Sequence, residues 1–405
     1  MENTRKQILD LLVRVFRDDG YASLLLRTAN IPAKDMAFAS EVLYGTIRNY
    51  SLLEAQWRPL AKKTALRTAL LLDMSVYQLL LMDNIPAYAV VNEAVEIAGK
   101  GQGKFVNAIL RRVIDQGLKK QTEDSLEAVA FNTSHPLWIL QMWKAHYGEE
   151  TAVRIAHADQ ERARVYGRLN TLKAKKEDLM EDWYEWLDET SFVYHGRAAD
   201  DPHLKNGEIL LQDLHSQQVV SFLEAKPNMR VLDACAAPGT KSQQIACAME
   251  NKGEIVACEL HEHRVGLIDQ LMERCGVTIC SAVQNDSSVP DRFAEESFER
   301  ILIDAPCSGL GDLSHKPEIR WHLQPEDIDA IVAVQAAILE ASAPYLKKGG
   351  MLVYSTCTLN RKENSGQVQA FLKKHPEFEL RREKTLFPFE ERADGFYAAA
   401  LLKRN

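Results

Sequence analysis

The feature that most constrains this chain is a change of rhythm near residue 211. From there short apolar runs alternate with amphipathic stretches. RVLDAC, GEIVACE, RILIDAP, GGMLVYSTC and GFYAAALL read as strands. TKSQQIACAM, HEHRVGLIDQLMERCG, PEDIDAIVAVQAAILEASAPYL and RKENSGQVQAFLKKH read as helices. Such β-α alternation predicts a doubly wound, mostly parallel sheet. Ligands of these sheets bind outside the carboxyl ends of the strands, near the point where strand order reverses. Three sharp stretches fall at predicted strand ends: DACAAPGTK, DAPCSG and STCT.

The first part of the chain has a different period. Ile8, Leu11, Leu12, Val15 and Phe16 mark one buried helical face. KDMAFASEVLYGTIRNYSLLEAQW, TALRTALLLDMSVYQLLL, AYAVVNEAVEIAGK and GKFVNAILRRVID continue in that way, with Pro86 at a first-turn position and Gly117 as a C-terminal stop. Residues 1–125 are therefore expected to form a compact all-α domain. Residues 126–210 are mixed. HPLWILQMWKAHYG and KKEDLMEDWYEWLDE read as helices, RVYGRLNTL and SFVYHG as short strands. A small α+β module is expected there, followed by an α/β domain over 211–405.

The net charge of −8 does not suggest a nucleic-acid binder, but its distribution is uneven. Through Leu140 there are 17 Lys and Arg against 15 Asp and Glu, so the remainder carries −10. Lys100, Lys104, Arg111 and Arg112 are basic groups that could meet phosphates, or equally form a solvated helix face. No apolar run reaches membrane-spanning length, and MENTRKQILD has no secretory pattern, so a cytoplasmic protein is expected. The seven cysteines all lie beyond residue 234, without C-x-x-C or zinc spacing. Disulfides and a structural metal are not expected.

VLDACAAPGTKS reads as a strand, a tight turn and a helix start. It lacks the several glycines of a dinucleotide loop and the order of a Walker loop, so a ligand without phosphates fits better. S-adenosylmethionine is such a ligand. Glu259, ending the second strand, could bind its ribose hydroxyls, or could be an exposed residue near a helix start. Asp286 in VQNDSS could accept from the adenine amino group, or could serve turn chemistry. In ILIDAPCSG, Asp304 ends an apolar strand and Cys307 follows. Cys357 in STCT could be buried filler, as free cysteines often are. Two thiols at the mouths of neighbouring strands instead suggest a two-cysteine mechanism beside a methyl donor. Methylation at C5 of a pyrimidine needs such a thiol, because addition at C6 makes C5 nucleophilic.

With these motifs the chain resembles the bacterial 16S ribosomal RNA cytosine-C5 methyltransferases of the RsmB type, nearly end to end. DACAAPGTK resembles the family's methionine-binding loop, with Thr240 where Gly is usual. DAPCSGLG and STCTLNRKEN resemble its two cysteine motifs, and KPEIRW, ILLQD and DGFYAAALLKR also match. EVLYGTIRN, YQLLLMDNIPAYAVVNEAVEIA and KFVNAILRR resemble its NusB-like RNA-binding domain. The resemblance implies a class I, Rossmann-like catalytic domain. It implies Cys357 as nucleophile, Cys307 as the thiol that assists release, and Asp304 at the substrate. Cys235, Ala236, Ala237, Pro238, Gly239, Thr240, Lys241, Glu259, Asp286 and Asp304 would bind S-adenosylmethionine. The implied partner is 16S rRNA, with no metal and no membrane, and a monomer is expected. Ser314-His315 and the lack of Pro-Pro before RVYGRLN depart from the family pattern. The same chemistry on tRNA is one alternative. A non-catalytic RNA-binding or antitermination factor is another, which the presence of both cysteines, Asp304 and Lys241 argues against.

Overall fold

A computed structural model describes residues 3–61, 63–83, 85–179 and 182–405. They form two compact units. One holds the chain up to Glu161 together with Leu313–Gln324, the other Arg162–Asp312 together with Pro325–Asn405.

The first unit is helical. Its helices are α1 (Thr4–Asp18), α2 (Ala22–Thr28), α3 (Met36–Arg48), α4 (Tyr50–Trp57), α5 (Leu66–Leu80), α6 (Ala87–Gln116), α7 (Leu126–Asn132), α8 (Leu137–Tyr147) and α9 (Glu149–Ala158). Asn3 starts α1 by accepting from the Lys6 N–H at 3.1 Å, the usual answer to the unpaired donors of a first turn. The expected apolar face is observed: Ile8, Leu11, Leu12 and Val15 are buried and Phe16 packs against them. The two helices expected between Ala87 and Asp115 are consecutive parts of α6, separated at Gly99 (φ 71°, ψ −177°). The stretch 126–210 divides between the units: α7–α9 belong to the helical one, and its strands to the other.

The second unit carries two sheets. In the smaller, β1 (Tyr166–Leu169), β2 (Tyr184–Trp186), β3 (Ser191–Tyr194) and, after α10 (Pro202–Asn206), β4 (Ile209–Leu211) pair antiparallel in the order β2-β3-β1-β4. The helix expected over KKEDLMEDWYEWLDE is not formed. Residues 176–178 make one 3-10 turn, 184–186 form β2, and residues 180 and 181 lie outside the described residues. Pairing with β3 sets Tyr184 edge-on to Phe192, ring centroids 5.1 Å apart. A cross-strand aromatic contact of this kind overrides local helical preference.

The larger sheet follows α11 (Leu214–Ser221). It is built from β5 (Arg230–Asp233), α12 (Thr240–Ala248), β6 (Glu254–Glu259), α13 (Glu262–Cys275), β7 (Cys280–Gln284) and β8 (Phe298–Asp304). The short α14 (Ile319–His322) lies in the segment that belongs to the helical unit, where the Trp321 indole donates to the Ile47 carbonyl at 2.8 Å. The chain then returns through α15 (Asp327–Ser342), β9 (Leu346–Thr356), α16 (Ser365–Lys374), β10 (Phe378–Leu386), α17 (Pro388–Glu391) and β11 (Phe396–Lys403). Strand order is β10-β11-β9-β8-β5-β6-β7, parallel from β7 to β9, with β11 antiparallel to both its neighbours. The order reverses between β5 and β8. The ends of these two strands, with β9 beside β8, are where a ligand crevice belongs. β10 is not among the expected strands. Its FELRREKTL runs along the sheet edge with mostly exposed side chains, so it lacks the apolar signature of the inner strands.

Candidate active site

The crevice is assembled from strand ends. After β5 the chain turns through Ala234–Gly239 into α12. Gly239 caps that helix at φ 105°, a left-handed value that favours glycine. A Cβ there would also come within 3.2 Å of Leu271 and Met272 side chains. Thr240, by contrast, is the first residue of α12 and is not among the residues with positive φ. The second glycine usual in such loops is therefore not needed for the backbone path here.

At the start of α12, Lys241 points back to the sheet. Its Nζ donates to Asp304 Oδ2 at 2.6 Å, and the Ser355 hydroxyl donates to Asp304 Oδ1 at 2.8 Å. Asp304 at the end of β8 is thus fixed from two sides. Burial alone would lower the Lys241 ammonium, but the Asp304 carboxylate and its hydrogen bond outweigh that, and its pKa is raised. Below them lies Asp233, buried, accepting from the Ser242 hydroxyl at 2.6 Å. Burial pushes its carboxyl up to about 6, against the pull of that hydrogen bond.

Cys307 and Cys357 come together as the strand order requires. β8 pairs with β9 up to Asp304↔Ser355, and the two sulfurs lie 3.2 Å apart. From Met351 to Asn360 every residue is buried except Cys357, which is partly exposed. That is the reverse of buried filler. The Cys307 thiol is raised well above its ordinary value, first by its hydrogen bond to Cys357 and then by burial. Cys258 and Cys275 are buried in the core; burial raises Cys235 and Cys275, and pushes Cys258 and Cys280 up to about 12.

Glu259, at the end of β6, is buried rather than exposed. Its Oε1 accepts from the His261 N–H at 3.0 Å, and Arg264 lies 3.3 Å away. Asp286 is exposed, and its Oδ1 accepts from the Ser288 N–H and hydroxyl at 3.0 and 2.6 Å, which is the turn chemistry that Asn-Asp-Ser suggests. Lys100, Lys104, Arg111 and Arg112 all lie exposed on α6 in the helical unit. Sequence reasoning missed Asp233, Ser308, Ser355 and Glu363. Asp233, Ser308 and Ser355 lie within DACAAPGTK, DAPCSG and STCT, and Glu363 is the acid of the Lys-Glu-Asn run after the second cysteine, so the motifs contained them without marking their roles.

Comparison with known proteins shows the family. The family profile for 16S rRNA methyltransferase RsmB/F matches residues 220–402, the NusB family profile residues 2–115, and that of the ferredoxin-like domain of RsmF/B-like methyltransferases residues 135–185. A protein of Bacillus subtilis named probable ribosomal RNA small subunit methyltransferase B is 33% identical, covering 100% of this chain and 99% of its own. The chain belongs to the RsmB/F methyltransferase family. A Serratia proteamaculans ribosomal RNA small subunit methyltransferase B is 31% identical over 92% of each chain. The crystal structure of PH0851 covers all of both chains with a TM-score of 0.83 at 23% identity, a likeness of fold. A methyltransferase homologue from Pyrococcus horikoshii gives 0.60 at 26% identity, over 70% of this chain and all of its own. Membership assigns the parts: a NusB-type helical domain, a ferredoxin-like module and a Rossmann-like methyltransferase domain.

Proposed function

We propose that this protein methylates C5 of a cytosine in small-subunit ribosomal RNA, with S-adenosylmethionine as donor and a covalent adduct on Cys357. The observation that carries the reading is the thiol pair, sulfurs 3.2 Å apart, beside an aspartate held by a lysine at the sheet's switch point. The donor suits the residues present. The buried Glu259 carboxylate offers acceptor oxygens suited to a ribose diol, and the turn Ala234–Gly239 leads into a helix start without the glycine series a pyrophosphate requires. Bound there, S-adenosylmethionine supplies an electrophilic methyl group on a sulfonium.

The chain's own residues do the rest. The cytosine must leave its stack to reach the crevice. Asp304, fixed by Lys241 and Ser355, would hold its N3–N4 edge. Cys357, the partly exposed point of a buried run, would add through sulfur to C6, and the electron pair gained at C5 would take the methyl group from the sulfonium, whose sulfur keeps the bonding pair. The C5 proton then passes to solvent base, the pair of its C–H bond re-forms the C5–C6 double bond, and the C6–S pair leaves with the Cys357 sulfur. Cys307, its sulfur 3.2 Å from that of Cys357, would assist that step as a proton donor to the departing sulfur. The names of the small-subunit relatives favour rRNA over tRNA as substrate.

The test uses the full chain, protein-free 16S rRNA and labelled S-adenosylmethionine, followed by a denaturing gel. Wild-type protein should transfer label to RNA. Cys357→Ala should neither form an adduct nor methylate, losing at least about 10³-fold in turnover, as expected for removing a nucleophile. Cys307→Ala should accumulate a slow-migrating RNA adduct, because addition proceeds while elimination stalls. An adduct in Cys357→Ala instead would exchange the two roles, and full activity in that variant would sink the mechanism.

A further inference from the structure

The glutamate of the Lys-Glu-Asn run takes no part in the chemistry above, yet it is fully buried within reach of both cysteine loops. Four donors converge on Glu363. Oε2 accepts from the Ser308 N–H at 2.8 Å and from Gln335 Nε2 at 3.1 Å. Oε1 accepts from the Ser308 hydroxyl at 2.6 Å and from Asn360 Nδ2 at 3.0 Å. Ser308 directly follows Cys307. Its Oγ also lies 2.8 Å from Oγ1 of Thr358, which directly follows Cys357. Since Ser308 gives its hydrogen to Glu363, the Thr358 hydroxyl is the donor in that contact. One chain of directional bonds therefore runs from a single carboxylate to the residue after each thiol. Two further bonds stitch the loops: Asn364 Nδ2 donates to the Thr358 carbonyl at 2.8 Å, and the Gly311 N–H to the Cys357 carbonyl at 3.0 Å. Apolar packing does not fix a sulfur to a fraction of an ångström. A fully satisfied buried polar network does, because each displaced bond leaves an orphaned group.

We infer that Glu363 is the positioning residue that sets the spacing of the Cys307 and Cys357 sulfurs, and through that spacing the release step. The inference rests on the two-thiol reading. In Glu363→Gln one acceptor oxygen becomes an NH2 group. It then faces donors of Ser308 and Asn360 or of Ser308 and Gln335, and the Ser308 loop must yield. Addition, which needs Cys357 alone, survives. Release, which needs Cys307 in place, does not.

Two readouts on the full chain test this, with wild type, Cys307→Ala and Cys357→Ala beside Glu363→Gln and Glu363→Asp. The first needs no RNA. The diazene reagent diamide takes two hydrogens from a thiol pair, leaving a disulfide and a hydrazine, so the rate of Cys307–Cys357 linkage reports sulfur juxtaposition. Glu363→Gln should link about tenfold more slowly than wild type, and Glu363→Asp at an intermediate rate, since exchange depends steeply on thiol access. The second is the RNA gel. Glu363→Gln should lose about 10–100-fold in turnover, the scale of an ångström misplacement, and carry an RNA adduct as Cys307→Ala does. Linkage at the wild-type rate would overturn the inference whatever the activity. Slow linkage without adduct, while Cys307→Ala does trap RNA, would overturn its release step. If Cys307→Ala traps no RNA, the two-thiol reading fails, and the linkage rate alone decides whether Glu363 sets the spacing.

Discussion

In the helical unit, the fully buried Asp73 receives one hydrogen bond, from the Trp57 indole N–H at 2.6 Å, and its second oxygen has no partner among the described residues. In the catalytic unit, the equally buried Glu363 receives four. Burial raises the Asp73 carboxyl well above the usual range, with the Trp57 bond pulling against it. The same unfavourable transfer from water is thus met in two ways. One carboxyl is driven toward the proton-bearing form. The other draws three of its four donors from Ser308 and Asn360, in the loops that carry the thiols, so its position is coupled to theirs. The difference teaches that burial of an acid says little about function, and that the origin of its donors says more.

Asp304 tests that rule most severely, because its donors come from the start of α12 and from β9, the strand that leads to Cys357. Asp304→Asn should cut turnover by about 10²–10⁴-fold, the range for losing a group that acts on the substrate in the transition state. It should also destabilise the catalytic unit, by up to about 3–5 kcal/mol, because Lys241 is left buried without its partner. Adding Lys241→Met should recover much of that stability, since replacing a whole buried pair is often neutral. Turnover should stay low. Melting curves beside single-turnover assays make the check, and activity returning with stability would class Asp304 as packing.

Asp73 should respond in the opposite sense. Its proton is held more tightly in the native state than in the unfolded chain, where a carboxyl titrates near about 3.9. Stability from this group is therefore complete below that pH and lost as pH rises above it toward the raised native value. Asp73→Asn removes the dependence. It should stabilise the helical unit at pH 7, because the amide folds without the proton uptake that the raised carboxyl requires there. The gain should shrink toward about pH 4.5, with turnover unchanged. A gain independent of pH between about 4.5 and 8 would show that Asp73 is not the titrating group.

Much of this arrangement was legible in the residues. Apolar periodicity found the helical face of α1 and the parallel strands, because burial imposes those periods directly. The strand ends located DACAAPGTK, DAPCSG and STCT, because crevice position follows from sheet topology. The edge strand β10 was not legible, since its exposed side chains carry no alternation, and β2 reads as helix because only its pairing with β3 makes it a strand. In the site, the sequence reached the thiols and Asp304 but not what holds them. Ser308, Ser355 and Glu363 meet their partners across 55, 51 and 55 positions of sequence, and no local pattern encodes such pairings.

The smallest expected effect lies on the outer surface of α6 and asks whether the helical unit contributes charge as well as packing. Lys104 and Arg111 are exposed and seven residues apart, close to two helical turns, so they share one face. Arg112 lies about 100° further round the helix than Arg111. Arg111 is steadied by its hydrogen bond to Asn107 Oδ1 at 3.2 Å. If this face meets rRNA phosphates, removing one basic side chain should weaken binding less than about tenfold and lower the slope of log affinity against log salt by about 0.7–0.9. Lys104→Ala with Arg111→Ala should therefore flatten the slope by about twice that amount, without altering single-turnover chemistry at saturating RNA. The charges are far from any buried network, so the melting temperature should hold as well, as is usual for exposed substitutions. Filter binding across a salt series makes the measurement. An unchanged slope would return these residues to an ordinary solvated helix face, and would leave the helical unit's role to its shape and to groups other than these.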